Sequence, residues 1–107
     1  MYRVIFEHHP IPGKETDFIR QWQWGSDIIQ TYPGARGTKL FRSLENPSIL
    51  YAIADWESKP CRDRAMAEIT KLPNGDVILK EHEKFLEKMI VLASIDLIAE
   101  SNPPVRK

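Results

Sequence analysis

Polar and apolar residues alternate from the second position of the chain. Tyr2, Val4, Phe6 and His8 fall on one face and Arg3, Ile5, Glu7 and His9 on the other, until residues 10–13 break the run. A period of two is that of an extended chain, so residues 2–9 predict a first strand. Over residues 14–31 the period changes: Phe18, Ile19, Trp22, Ile28 and Ile29 recur at helical spacing. This predicts a helix, weakened by roughly 1 kcal/mol and bent at Gly25. Residues two apart on a helix diverge by about 200°, so Trp22 and Trp24 cannot both face the core.

Pro33-Gly34 stops that helix. Strand-like runs follow over residues 36–44 and 49–57, separated by the turn cluster Glu45-Asn46-Pro47-Ser48, and they predict an antiparallel hairpin. On the second run Leu50, Ala52, Ala54 and Trp56 share a face, with Ile49, Tyr51, Ile53 and Asp55 opposite. Ser58, ahead of Lys59-Pro60, is a helix N-cap signal, and Cys61, Ala65, Ile69 and Leu72 form the stripe behind it. Leu72-Pro73-Asn74-Gly75 interrupts that helix. Asp76 is read as the cap of a further helical piece with Ile78, His82, Phe85 and Met89 on its apolar face. A last strand fits residues 88–100, with Val91, Ala93, Ile95 and Leu97 facing away from Ile90, Leu92, Asp96 and Ile98. Residues 1–100 form one domain on this reading, and 101–107 a flexible tail or a short arm onto a partner.

The order βαββαβ is the ferredoxin-like split arrangement, an α+β fold with a four-stranded antiparallel sheet. Both helices then cover one face and leave the other bare. Several strands are apolar on both sides, so the bare face is too greasy for a lone subunit, and a homodimer joined sheet to sheet is expected.

Composition narrows the function classes. The chain has 107 residues, with 15 basic and 15 acidic side chains, so no net field gathers nucleic acid or an anionic membrane. The single cysteine, Cys61, cannot close an internal disulfide, and the N-terminal segment meets a charge too early for a signal peptide, which points to the cytoplasm. No apolar run approaches the roughly 20 residues of a spanning helix.

Motifs for nucleotide, phosphate, serine-nucleophile and zinc chemistry are absent from the sequence. His8 and His9 point to opposite faces of a strand, so at most one lines a pocket, either as a half-exposed strand-end residue or as a catalytic base. His82 lies on an apolar stripe, where it is either a satisfied core histidine or a base or iron ligand. Trp56 is either a hydrophobic plug or a stacking wall, since Ala52 and Ala54 beside it leave space for a flat ligand. Arg42 either reaches to the rim or meets an anionic ligand group. Arg62 and Arg64 are read as a solvated helix face. Trp22 and Tyr51 are core or interface aromatics and candidate ligand contacts, and Cys61 is read as a small buried residue.

The landmarks Pro33-Gly34, Phe41-Arg42-Ser43, Glu45-Asn46-Pro47 and Trp56-Glu57-Ser58 resemble those of the antibiotic biosynthesis monooxygenase family, whose members are dimeric α+β barrels. The resemblance runs from the first strand through about Glu68 and more loosely to the last strand. It implies oxidation of phenolic polyketides without metal or flavin, in which the substrate anion itself gives an electron to O2. Trp56 matches the pocket tryptophan of such enzymes. The asparagine four residues before it is Ala52 here, and the tyrosine about six after it is Arg62. Haem-degrading relatives use a first-strand asparagine, a second tryptophan and a histidine ligand. This chain offers Glu7 and His8 on the strand, no tryptophan on the following helix, and His82 several residues late. The expected function is therefore cofactor-independent oxygenation of a small aromatic or enolic substrate, with His8 or His82 as base, Trp56 as wall and Arg42 as charge stabiliser. The competing expectation is a non-catalytic dimeric module that binds a small apolar molecule.

Overall fold

The computed structural model describes residues 1–105. Strand β1 (Tyr2–Pro10) leads to helix α1 (Glu15–Ile29), then to strands β2 (Ala35–Arg42) and β3 (Leu50–Trp56), helices α2 (Lys59–Thr70) and α3 (Gly75–Lys80), a 3-10 turn (Glu81–Phe85) and strand β4 (Leu86–Asp96). The strands form one sheet in the order β2-β3-β1-β4, with every neighbouring pair antiparallel. This is the ferredoxin-like α+β arrangement expected from the βαββαβ order.

The period-two alternation decides which side chains meet the helices. Tyr2, Val4 and His8 of β1 and Leu50, Ala52 and Trp56 of β3 are buried beneath them. Tyr2 lies opposite Trp56, and His8 opposite Leu50. Phe18 from α1 and Ile69 from α2 are wholly excluded from solvent. Ser58 caps α2 as expected, its Oγ accepting from the Cys61 N–H at 3.3 Å. Trp24 is 42% exposed, which leaves Trp22 as the inward-facing member of the pair.

Glycine matters at one helix contact. A Cβ on Gly25 would come within 2.6 Å of the Ile78 carbonyl oxygen, so only glycine lets α3 press this closely on α1. The residue read as a bend point is a contact point within one continuous helix.

The structure corrects the C-terminal third. The spacing of Ile78, His82, Phe85 and Met89 imitates a helix, but α3 ends at Lys80, the 3-10 turn carries His82 and Phe85, and Met89 is already in β4. Asn74, not Asp76, occupies the N-cap of α3, and its side chain makes no capping bond. Strand β4 ends at Asp96, ahead of the expected Glu100, and β2 ends at Arg42, ahead of Leu44. A bulge also interrupts β4, because Val91 pairs with Phe6 while Ala93 pairs with Ile5. Residues directly opposite share a face, so the bulge moves Val91 and Ala93 to different sides and breaks the expected alternation. Ser101 to Val105 have no regular structure and are exposed, and the last two residues of the expected tail, Arg106 and Lys107, lie outside the described residues.

No helix among the described residues is long and apolar enough to cross a membrane. The face of the sheet away from the helices is uncovered within the subunit and carries Phe41, Ile90 and Ile95 at 47%, 38% and 45% exposure.

Candidate functional site

Between the sheet and the helices lies a cavity of about 320 Å³. Its floor is Val4, Phe6 and His8 from β1, Ala52, Ala54 and Trp56 from β3, and Met89 from β4. Trp22, Gly25 and Ile29 from α1 and Ile78 from α3 form the roof. The two small alanines open the space, because beside Trp56 they leave the floor low.

One end of the cavity holds two imidazoles. His8 is 2% exposed, and its buried Nδ1 finds no hydrogen-bond partner of good geometry among the described residues. Its ring lies 5.0 Å from Phe18 and 6.0 Å from Phe6, and it meets His82 edge-on at 6.2 Å between centroids. His82 reaches the same place from the 3-10 turn and packs against Phe18 at 5.9 Å. Burial pushes the His8 pKa down to about 4, with nearby His82 adding to the effect and the Leu50 backbone opposing it. Burial also lowers the pKa of His82, against a smaller opposing pull from Glu83. Both rings are therefore neutral near pH 7, and each keeps a lone pair able to accept a proton.

The other end is polar. Gln30, Thr38 and Arg62 line the cavity beyond Trp56. The Gln30 carbonyl oxygen accepts from the Gly37 N–H at 2.8 Å, and the Thr38 hydroxyl donates to the Ile53 carbonyl at 3.1 Å. The nearest acid to Arg62 is Asp63, at a loose 3.5 Å, and Asp63 is itself held by Lys59 at 2.8 Å.

Of the residues singled out in the sequence, His8, His82, Trp56 and Trp22 meet around this cavity. Trp56 is at once a core residue, 3% exposed, and part of the wall. Arg42 and Tyr51 do not line it. Arg42 pairs with Glu15 and donates to the Pro47 carbonyl at 2.7 Å, which holds it at the rim. Tyr51 lies on the open face of the sheet, where its hydroxyl donates to Glu7 at 3.2 Å. Arg62, read as solvated, is the cavity-lining residue the periodicity missed. Its one signal was its place six residues after Trp56. Among the described residues no cluster of three or more His, Cys, Asp or Glu side chains could hold a metal ion.

The model of the family described as antibiotic biosynthesis monooxygenase matches residues 1–68, from β1 to the last turn of α2. Solved structures share the fold at low identity. A structure described as antibiotic biosynthesis monooxygenase has a TM-score of 0.72 and 13% identity over 92% of this chain and 100% of its own. A protein from Mycobacterium tuberculosis has a TM-score of 0.68 and 17% identity over 92% of this chain and 98% of its own. A conserved protein from Methanosarcina mazei has a TM-score of 0.69 and 18% identity over 84% of this chain and 88% of its own. No curated protein matches the chain. With the family model covering more than half of its length, the chain belongs to the antibiotic biosynthesis monooxygenase family.

Proposed function

We propose that the protein is a homodimeric, cofactor-independent monooxygenase that oxidises a small, flat aromatic or enolic molecule held between Trp22 and Trp56. The observation that carries this reading is the His8 ring, buried, neutral and lining the end of an apolar cavity. A neutral imidazole so placed can take up a substrate proton.

The chemistry follows from that placement. His8 accepts a proton from an acidic phenol or enol, and the substrate anion beside the new imidazolium raises the His8 pKa again and holds the ion pair. The anion gives one electron to O2, the substrate radical and superoxide combine and take back the proton from His8 as a hydroperoxide, and loss of water leaves a quinone. For an anthrone the balance is one O2 consumed per quinone and one water formed. Dry apolar walls protect the radical pair, and the two tryptophans keep the rings flat.

The open sheet face supports a dimer, since its exposed Phe41, Ile90 and Ile95 need cover and four of its polar side chains are already paired as Arg3 with Asp55 and His9 with Glu7. The free Cys61 thiol suits a reducing compartment and so supports a cytoplasmic location. Two observations weigh against haem. The cavity is at the small end for drug-sized ligands, and the His82 ring is packed against Phe18 and His8.

Oxygen uptake with anthrone tests the proposal. The wild-type protein is expected to consume O2 in step with quinone formation, and His8→Gln to lower kcat by about a hundredfold or more, the usual share of a general base. Uptake no faster than in buffer, with anthrone bound, leaves a non-catalytic binding module in its place.

A further inference from the structure

The two ends of the cavity differ in charge. At the His8 end, Lys80 and Glu83 both line the cavity, so opposite charges face it together. At the far end Arg62 is the one charged lining residue among the described residues, and no acid among them lines the cavity beside it. Its loose contact to Asp63 is already in competition with Lys59, so most of the guanidinium fork is unspent. Thr38 at the polar end pairs with Ala54, which lies opposite Val4, four residues along β1 from His8, or about 13 Å at the rise of a strand. The floor between them is Val4, Phe6, Ala52 and Ala54, with no polar side chain.

A site with a proton acceptor at one end, a cation at the other and apolar floor between selects a ligand of matching polarity. We infer that the cavity takes an elongated aromatic acid, with its ionisable hydroxyl or enol against His8 and its carboxylate against Arg62. This rests on the cavity being the ligand site proposed above, and it adds the substrate class. The planar guanidinium suits a carboxylate because the two can form parallel hydrogen bonds, and it cannot lose its charge. A positive Arg62 also disfavours a purely hydrocarbon far end, because such a ligand strips water from the cation and offers nothing back.

Titration calorimetry with two naphthalenes separates the alternatives. 6-Hydroxy-2-naphthoic acid has a hydroxyl at one end and a carboxylate at the other, and 2-naphthol lacks the carboxylate. The wild-type protein is expected to bind the acid about tenfold more tightly, the effect of one partly exposed charge-assisted contact. Arg62→Gln is expected to remove the preference for the acid without weakening 2-naphthol, while Arg62→Lys keeps part of the preference. Lys80→Gln is expected to leave the preference intact. Equal binding of both probes by the wild type, or a preference that survives Arg62→Gln or disappears in Lys80→Gln, overturns the inference and leaves the cavity reading standing. Binding of neither probe overturns both.

Discussion

Beneath the helices the sheet carries one buried polar side chain among the described residues, His8, and leaves its Nδ1 without a partner. On the opposite face polar groups are partnered across and along the strands. Arg3 meets Asp55 through two bonds of 2.6 and 2.9 Å, and Glu7 joins His9 at 2.7 Å and Tyr51 at 3.2 Å. The His9 ring holds the Glu7 carboxyl below its usual range and so favours its charged form, whereas burial lowers the pKa of His8, one residue before His9, and so favours its neutral form. The contrast separates two uses of polarity on one strand. Paired charges tolerate being covered by another protein surface, and an unpaired neutral base keeps its bonding capacity for a ligand.

The largest effect is expected on the open face. Ile53, opposite Ile5 at the middle of the sheet, becomes an uncompensated buried charge in Ile53→Lys if a second copy covers it. That costs about 3–5 kcal/mol, enough to convert a dimer to monomers at micromolar concentration in light scattering. A wild-type protein that already scatters as a monomer removes the dimer.

The helix-covered face has a pH signature of the opposite kind. Because the folded-state pKa of His8 is about 4, below its ordinary 6.5, the unfolded chain takes up a proton that the folded chain refuses. Stability is therefore whole above about pH 6.5 and declines as pH falls towards 4, by up to about 3 kcal/mol from this group. Urea unfolding across that range should show the slope in the wild type, and His8→Gln should flatten most of it, with His82 supplying a remainder of the same sign. An unchanged slope in the variant contradicts the burial assigned to His8.

The smallest effect is expected for Asp55→Asn. Arg3 and Asp55 are 39% and 18% exposed in the subunit, so urea unfolding of dilute protein should register less than about 1 kcal/mol. A loss well above that sets the pair among the groups that hold the monomer together.

The fold was readable where a single period governs a whole element. The alternation of β1 and of β3, the turn at Asn46-Pro47 and the Ser58 cap all act through neighbours in sequence. The region after Lys80 was not, because Ile78, His82, Phe85 and Met89 satisfy a helical spacing while the chain passes through a 3-10 turn into a strand. His82 and Met89 reach the cavity nonetheless, one from the turn and the other through its pairing with His8. Arg62 escaped for a different reason. Whether a first-turn helix residue meets water or a cavity depends on the distance to β2 and α1, and no local period records it. Arg42 shows the converse: its place on the second strand was legible, but Glu15 across the rim determines where its guanidinium goes.

The missing methyl at Gly25 has a consequence for ligand shape. Because the Ile78 carbonyl sits where that methyl would be, the clearance between α1 and α3 is set by backbone atoms that cannot rotate aside. One alanine there forces the two roof helices apart, so how tightly the roof closes over the cavity is written into a single codon.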